Sequence, residues 1–345
     1  MSKAGSRPTI KTIAQETGLS TATVSKGLKS SPQVRPETQE LIKSTALRLG
    51  YQANLHGVQL RTGRTYQVAV VMQQPGAQEE EWEGVEYAQM LSGIAKAFEG
   101  SPYRMTLFTA HDFEENLETV KQIVQHRRAD GVIIAGTTPS DPRIAYMLDH
   151  DFPFVSYGTS RSERPHPFVD TDNAAILRTC LERLIGKGHS RIALINPPQN
   201  YTYALTRLET YAAVLDENGL DMTTDYVSHG RLTPAYGRSQ VARLASLANP
   251  PTAYVCANEA SALGVMSGFH AQGLVHGKDA VINATDDLNV SEYFSPPITT
   301  FYLPIHEPSA LLGEFIIRRI EGARPEALQK LCLPRLIERS DDVLG

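Results

Sequence analysis

Residues 9–26 read Thr-Ile-Lys-Thr-Ile-Ala-Gln-Glu-Thr-Gly-Leu-Ser-Thr-Ala-Thr-Val-Ser-Lys, and their spacing decides how the chain begins. Thr9 is placed to cap a helix, and Ile10, Ile13 and Ala14 recur at i, i+3 and i+4, the period of one helical face. Gly18 ends that helix, because a sharp turn favours the residue that tolerates positive φ. Ser20 then caps a second helix from Thr21 to about Leu28, with Val24 and Leu28 buried. Pro36 suits the first position of a third helix, whose buried side is expected to carry Leu41, Ile42, Leu47 and Leu49. Three short helices with a tight turn at Gly18-Leu19-Ser20 make a helix-turn-helix.

From Tyr66 onward the pattern changes. Short β-rich runs are expected at Gln67–Met72, Arg104–Thr109, Gly131–Ala135, Phe154–Tyr157, Arg191–Ile195, Ala253–Cys256 and Ala280–Asn283. Longer helical stretches separate them, for example Ala88–Glu99, Leu117–His126, Ala174–Lys187, Leu205–Asn218 and Ser239–Leu247. Alternation of strand and helix implies parallel sheets covered by helices. Two doubly wound lobes fit that length, with a ligand cleft at the carboxyl ends of the strands.

The bulk properties narrow the class further. The 345 residues are 41% hydrophobic and 21% charged, an ordinary globular balance. The basic N-terminus lacks the apolar core of a secretory signal, and no apolar stretch is long enough to span a bilayer. Cys180, Cys256 and Cys332 form no CxxC pair, which disfavours a disulfide framework or zinc site and fits a reducing cytosol. Net charge is −5, yet residues 1–64 hold ten Lys or Arg against Glu16, Glu37 and Glu40. A basic end on an acidic body is the footprint of one end meeting phosphates.

The stretch from Thr9 to Lys26 resembles the head of the LacI/GalR family of regulators. So do Val34-Arg-Pro-Glu-Thr, Leu49-Gly-Tyr, Asn54 and Leu60-Arg-Thr-Gly-Arg-Thr, in the family's order and spacing. In the body, Val169-Asp-Thr-Asp-Asn, Gly188-His-Ser-Arg-Ile-Ala, Arg207-Leu-Glu-Thr-Tyr, Ala257-Asn-Glu-Ala-Ser-Ala-Leu-Gly, Thr285-Asp-Asp and Pro297-Ile-Thr-Thr fall where family sensor motifs fall. The resemblance implies an α/β chain: an all-α helix-turn-helix head over 1–50, a hinge helix and linker over 51–65, and a two-lobed periplasmic-binding-protein-like sensor of doubly wound parallel sheets over 66–340. The lobes are expected at about 66–159 plus 301–325 and about 160–298 plus 326–340.

The resemblance also assigns roles. The second helix enters the major groove, so Thr21, Ala22 and Lys26 face base edges, while Thr23 and Ser25 suit phosphate or backbone contacts. The family usually has Arg where Lys26 stands; Lys still donates to guanine but lacks the rigid fork. Asn54 and Leu60 belong to the hinge that lies in the minor groove, Leu60 matching the residue that wedges between base steps. Packing of Leu60 against the head is the plain alternative. Gly57 and Ala53 replace the usual Ala and Pro, and Gly costs a helix about 1 kcal/mol, so this hinge is expected to be harder to order.

In the sensor, Asp172, Arg207, Asn258 and Asp286 match positions from which relatives contact effectors, a donor and acceptor set suited to a sugar. Each has a plainer reading. Asp172 is equally placed to cap the helix beginning at Asn173, Asn258 to make a turn, and Arg207 to pair with a surface acid. Asp287 competes with Asp286 for the cleft. Trp82 and Tyr87 follow the first strand, where either stacking on a ligand or ordinary packing accounts for them. Glu79, Glu80, Glu81 and Glu83 read as a solvated loop rather than a metal site, and His189 as a helix-end residue.

A solute receptor of the same sensor fold leaves the basic head unexplained, and GxSxG, P-loop, GxGxxG and HExxH patterns are absent from the sequence. The expectation is a cytoplasmic, non-enzymatic regulator without cofactor or metal. It acts as a homodimer on a roughly palindromic double-stranded operator and answers to a small-molecule effector. Release of DNA by a sugar, and co-repression in the purine manner, both remain open at this stage.

Overall fold

The computed structural model describes residues 8–51, 63–73 and 80–339, with residues 80–84 described by backbone alone. Ala53, Asn54, Gly57 and Leu60 therefore lie outside the described residues, as do Glu79 and the side chains of Glu80, Glu81, Trp82 and Glu83. The chain divides into two compact units, Met1–Thr65 and Tyr66–Gly345.

The first unit contains α1 (Ile10–Thr17), α2 (Thr21–Leu28) and α3 (Pro36–Arg48). Thr9 Oγ1 accepts from Thr12 N at 3.3 Å, and Thr9 N donates back to Thr12 Oγ1 at 3.1 Å, a capping box that fixes where α1 begins. Gly18 turns the chain at φ 68°, and Ser20 Oγ accepts from Thr23 N at 3.0 Å to start α2. Ile13, Ala14, Val24, Ile42 and Ala46 form the core, with Leu28 and Leu49 packed at its margin. The expectation for α3 is corrected at two positions. Leu41 is 50% exposed and Leu47 85% exposed, because Ile42, Thr45 and Ala46 already supply the inward i, i+3, i+4 stripe.

The second unit is built on two sheets. One holds β1 (Gln67–Gln73), β2 (Arg104–Ala110), β3 (Gly131–Ala135), β4 (Phe154–Tyr157), β5 (Phe168–Thr171) and β11 (Gln329–Cys332). Its order is β11-β5-β4-β3-β1-β2, and every pair is parallel. The other holds β6 (Ile192–Asn196), β7 (Val227–His229), β8 (Ala253–Cys256), β9 (Val281–Asp286), β10 (Thr299–Tyr302) and β12 (Arg335–Ile337). Its order is β12-β10-β9-β8-β6-β7, parallel except for the antiparallel pair β10-β12.

Parallel strands need cover on both faces, which is why runs such as Val68–Met72 are apolar at consecutive positions. In the first lobe α4 (Glu80–Ala97) and α11 (His306–Ile320) cover one face, packing Ile94, Leu312 and Ile316. The other face takes α5 (Phe113–Gln125) and α6 (Pro142–Asp149). In the second lobe α7 (Asn173–Gly186) and α8 (Thr202–Glu217) cover one face, and α9 (Pro234–Ala245) and α10 (Glu259–Gln272) the other.

The strands redraw the expected lobe boundaries. β5 and β11, expected in the second lobe, belong to the first sheet, while β10 at Thr299–Tyr302 belongs to the second. The chain therefore crosses between lobes after Thr171, again between Tyr302 and His306, and last between Cys332 and Arg335. The physical reason is parallel pairing: β5 needs β4 beside it, and β11 pairs β5 in register.

Helices α9 and α10 approach at Gly237 and Gly264. A Cβ on Gly264 would fall inside contact distance of the Pro234 carbonyl, and one on Gly237 inside that of Ser261. Backbone atoms cannot swing aside as a side-chain end does. Gly264→Ala is expected to cost about 1–3 kcal/mol in urea unfolding, even though Ala is the better helix former. A variant as stable as the wild type would show that the helices have room to separate.

Candidate functional site

On α2, Thr21, Ala22 and Lys26 are exposed, whereas Val24 and Gly27 are buried against the rest of the unit. The expected reading positions thus share the outward side of the helix. Thr23 and Ser25 are half-buried, and the Thr23 hydroxyl lies 2.8 Å from Ser20 Oγ within the helix cap. Its first duty is local. Lys11, Lys29, Arg35 and Lys43 are exposed on the same small unit, so the basic charge found in the sequence is solvent-facing.

The sensor offers a different chemistry. Arg207 lies in α8 and is 0% exposed. Its Nε donates to Asn196 Oδ1 at 3.1 Å, and Asn196 Nδ2 donates in turn to Ala204 O at 2.9 Å. Nη1 and Nη2 are buried without any hydrogen-bond partner among the described residues. Burial lowers its pKa, opposed by Cys180, Tyr203 and Cys256, and among the described residues no carboxylate neutralises it. The alternative of a surface ion pair is therefore corrected. A buried cation with an open fork is costly unless something outside the chain accepts from it.

The other three expected effector residues do local work. Asp172 caps α7, accepting from Ala175 N at 2.9 Å. Asn258 caps α10, accepting from Ser261 N at 2.9 Å while its Nδ2 donates to Leu232 O at 3.0 Å. Asp286 is 0% exposed, and its two oxygens accept from Leu288 N and Ser291 N, each at 3.1 Å. Both oxygens of Asp286 are thus engaged by amides of the turn that follows β9.

Asp287 meets Glu259, the first residue of α10. Burial pushes the pKa of both above the usual carboxylate range, and the charges of Glu86 and Asp286 act in the same direction; the Glu259 charge raises Asp287 further, whereas the Asp287 backbone N–H donates to Glu259 and opposes its rise. Glu86 comes from α4 in the opposite lobe, so the acidic group spans the cleft. Tyr157, at the end of β4, is raised by burial and then by Asp287, and Tyr203 on α8 by burial and then by Tyr201 and Glu86. Glu259, Glu86, Tyr157 and Tyr203 were not singled out from sequence. The one available signal was the acidic residue directly after a helix cap, which ordinarily complements the helix dipole. Tyr87, by contrast, packs against the first lobe's core, as its plainer reading had it. His189 is buried at a helix end, with Nδ1 2.9 Å from Thr252 Oγ1.

Lobe-to-lobe contacts hold these groups at fixed spacing. Thr202 N and Oγ1, at the start of α8, donate to Thr137 O of the first lobe at 3.0 and 3.2 Å. Arg161 donates to both oxygens of Glu209 at 2.7 and 2.6 Å. The helix that carries Arg207 is thereby tied at its N-terminus to the other lobe. Among the described residues no group of His, Cys, Asp and Glu is arranged to hold a metal ion, and no helix is long and apolar enough to cross a membrane.

Comparison with known proteins gives two regional matches: bacterial regulatory proteins, lacI family, over residues 9–54, and a periplasmic binding protein-like domain over residues 181–340. The HTH-type transcriptional regulator AglR of Rhizobium meliloti (strain 1021) is 30% identical over 337 residues, 96% of this chain and 93% of the relative. A solved complex of the transcriptional regulator CelR with cellobiose is 26% identical with a TM-score of 0.72, covering 97% of this chain and 100% of that one. The Lac repressor dimer bound to operator and the anti-inducer ONPF has a TM-score of 0.82 at 21% identity, over 97% and 99% of the two chains, a likeness of fold.

Proposed function

Because the chain belongs to the lacI family of bacterial regulatory proteins, we propose that this transcriptional regulator represses a carbohydrate-utilisation operon and is released from its operator by a small saccharide. The observation that carries the ligand half is Arg207, a buried guanidinium with two nitrogens lacking partners in a cleft lined by tyrosines and carboxyls. Sugar hydroxyls accept from such donors and donate to such acceptors. The cellobiose bound to CelR, a relative of similar length, supports the same class of ligand.

The DNA half rests on α2. Lys26, Thr21 and Ala22 are free to meet base edges, with Thr23, Ser25, Asn54 and Leu60 as the supporting contacts the family resemblance assigns. The regulator is proposed to work in the cytoplasm as a homodimer, without cofactor. Selection from a pool of random double-stranded DNA is then expected to enrich a near-palindrome with two half-sites. Enrichment of a single asymmetric site, or none, would contradict the dimeric reading.

Lys26→Ala separates base reading from charge. Its preference for operator over random DNA should fall by about 1–3 kcal/mol in anisotropy titrations at one salt concentration. Equal losses on both DNAs would instead place Lys26 on phosphate alone.

A further inference from the structure

Asn283 is a polar residue in the middle of β9, between the buried Ile282 and Ala284, and is itself 0% exposed. Both its Nδ2 and its Oδ1 are buried without a hydrogen-bond partner among the described residues. A side-chain amide with neither group paired is uncommon in a native interior and calls for an explanation. In register it lies between Val255 on β8 and Thr299 on β10, so it is central to the sheet rather than at an edge.

Alternation along the strands shows what it shares its face with. Val281, two residues before it, packs with Leu194, Cys180 and Tyr211 under α7 and α8. Asn283 and Thr285 follow Val281 at period two and therefore lie on that same face. Asn196 follows Leu194 in the same way and holds Arg207. Thr285 Oγ1 is also buried without a partner, like Arg207 Nη1 and Nη2. Five polar atoms from three side chains, unsatisfied among the described residues, thus lie on the side of one sheet covered by α7 and α8, with Thr285 nearer than Asn283 to the carboxyl end of β9.

We propose that Asn283 is an effector-binding residue, forming with Arg207 and Thr285 a buried subsite for the hydroxyl groups of a neutral saccharide. The proposal rests on the saccharide reading of the Arg207 cleft and narrows it. Arg207 and Asn283 Nδ2 need acceptors, whereas Asn283 Oδ1 needs a donor. A hydroxyl supplies both. A bare carboxylate or phosphate supplies acceptors but no donor. A ligand rich in hydroxyl groups is accordingly favoured.

The test uses the full chain, calorimetric titration and thermal unfolding. The probes are cellobiose, maltose and glucose; the variants are Asn283→Leu, Thr285→Val and Arg207→Met. Asn283→Leu keeps the branched shape and removes the unpaired amide, so its melting midpoint should stay level or rise by about 2–4 °C. Its affinity for whichever neutral sugar binds the wild type should fall at least tenfold, about 1.4 kcal/mol. Thr285→Val, a smaller change at a half-buried position, should lose about threefold. Unchanged sugar affinity in Asn283→Leu, or in Thr285→Val should the former fail to fold, overturns the subsite. If Arg207→Met alone loses the sugar, the saccharide reading stands without the subsite. If no probe binds the wild type, the saccharide reading falls and takes the subsite with it.

Discussion

Arg143→Met is expected to remove about 3–5 kcal/mol from the stability of the sensor, because it strands a buried carboxylate. Arg143 and Asp141 are 1% and 3% exposed. Arg143 Nη2 and Nε donate to the Asp141 oxygens at 2.7 and 3.0 Å. The remaining donors reach Asn116 Oδ1, Ala135 O and Gly136 O at 3.1, 3.2 and 2.9 Å, and the guanidinium stacks 4.6 Å from the Phe113 ring. Asp141 also accepts from Thr138 N and Arg143 N, which fixes the loop between β3 and α6. That loop carries Thr137, the residue to which the N-terminus of α8 is tied. Urea unfolding should show the loss, and the effector response should weaken with it. A cost below about 1 kcal/mol would mean that the pair is no more than a surface-type contact.

Arg207→Met should do nearly the reverse. The wild-type guanidinium has one neutral partner and a pKa lowered by burial, so its removal relieves a desolvation cost while leaving only Asn196 Oδ1 short of a donor. Stability should therefore change little. A charge-assisted hydrogen bond to a ligand contributes about 1.5–3 kcal/mol, so calorimetric affinity for the saccharide should fall at least tenfold. A variant that unfolds several kcal/mol more easily would make Arg207 a structural residue; one that binds sugar normally would move the cleft elsewhere.

The contrast between the two arginines explains what could be read from sequence and what could not. The head was legible because its signals are local: Thr9, Ser20 and Gly18 each act within a turn of their own position. Leu41 and Leu47 were misplaced because an apolar residue on a short helix need not face a small core already filled by Ile42 and Ala46. The lobe boundaries came out early because strand membership depends on partners far along the chain, as with β5 beside β11.

Of the four expected effector residues, Arg207 has buried side-chain nitrogens without a hydrogen-bond partner among the described residues, and the other three do not. Asp172, Asn258 and Asp286 occupy the ends of strands or starts of helices, where the same carboxyl or amide that faces a ligand in a relative also suits a cap. Asp287 was already an alternative from sequence, but Glu259 emerges only once β9 and α10 are side by side, and Glu86 only once α4 of the other lobe faces them. Asn283 was hidden for a different reason. Inside the run Val281-Ile282-Asn283-Ala284, strand periodicity reports the apolar neighbours, while an absent hydrogen-bond partner is visible only in three dimensions.

The claim that one chain couples a base-reading head to a saccharide cleft is tested most directly by operator titration with ligand present. Labelled operator is titrated with wild-type protein and with Arg207→Met, each with and without saturating neutral saccharide. The wild type should lose operator affinity at least tenfold on adding sugar, a coupling of about 1.4 kcal/mol or more, while Arg207→Met binds operator equally well with and without it. Equal shifts in both proteins, or none in the wild type, would contradict the account.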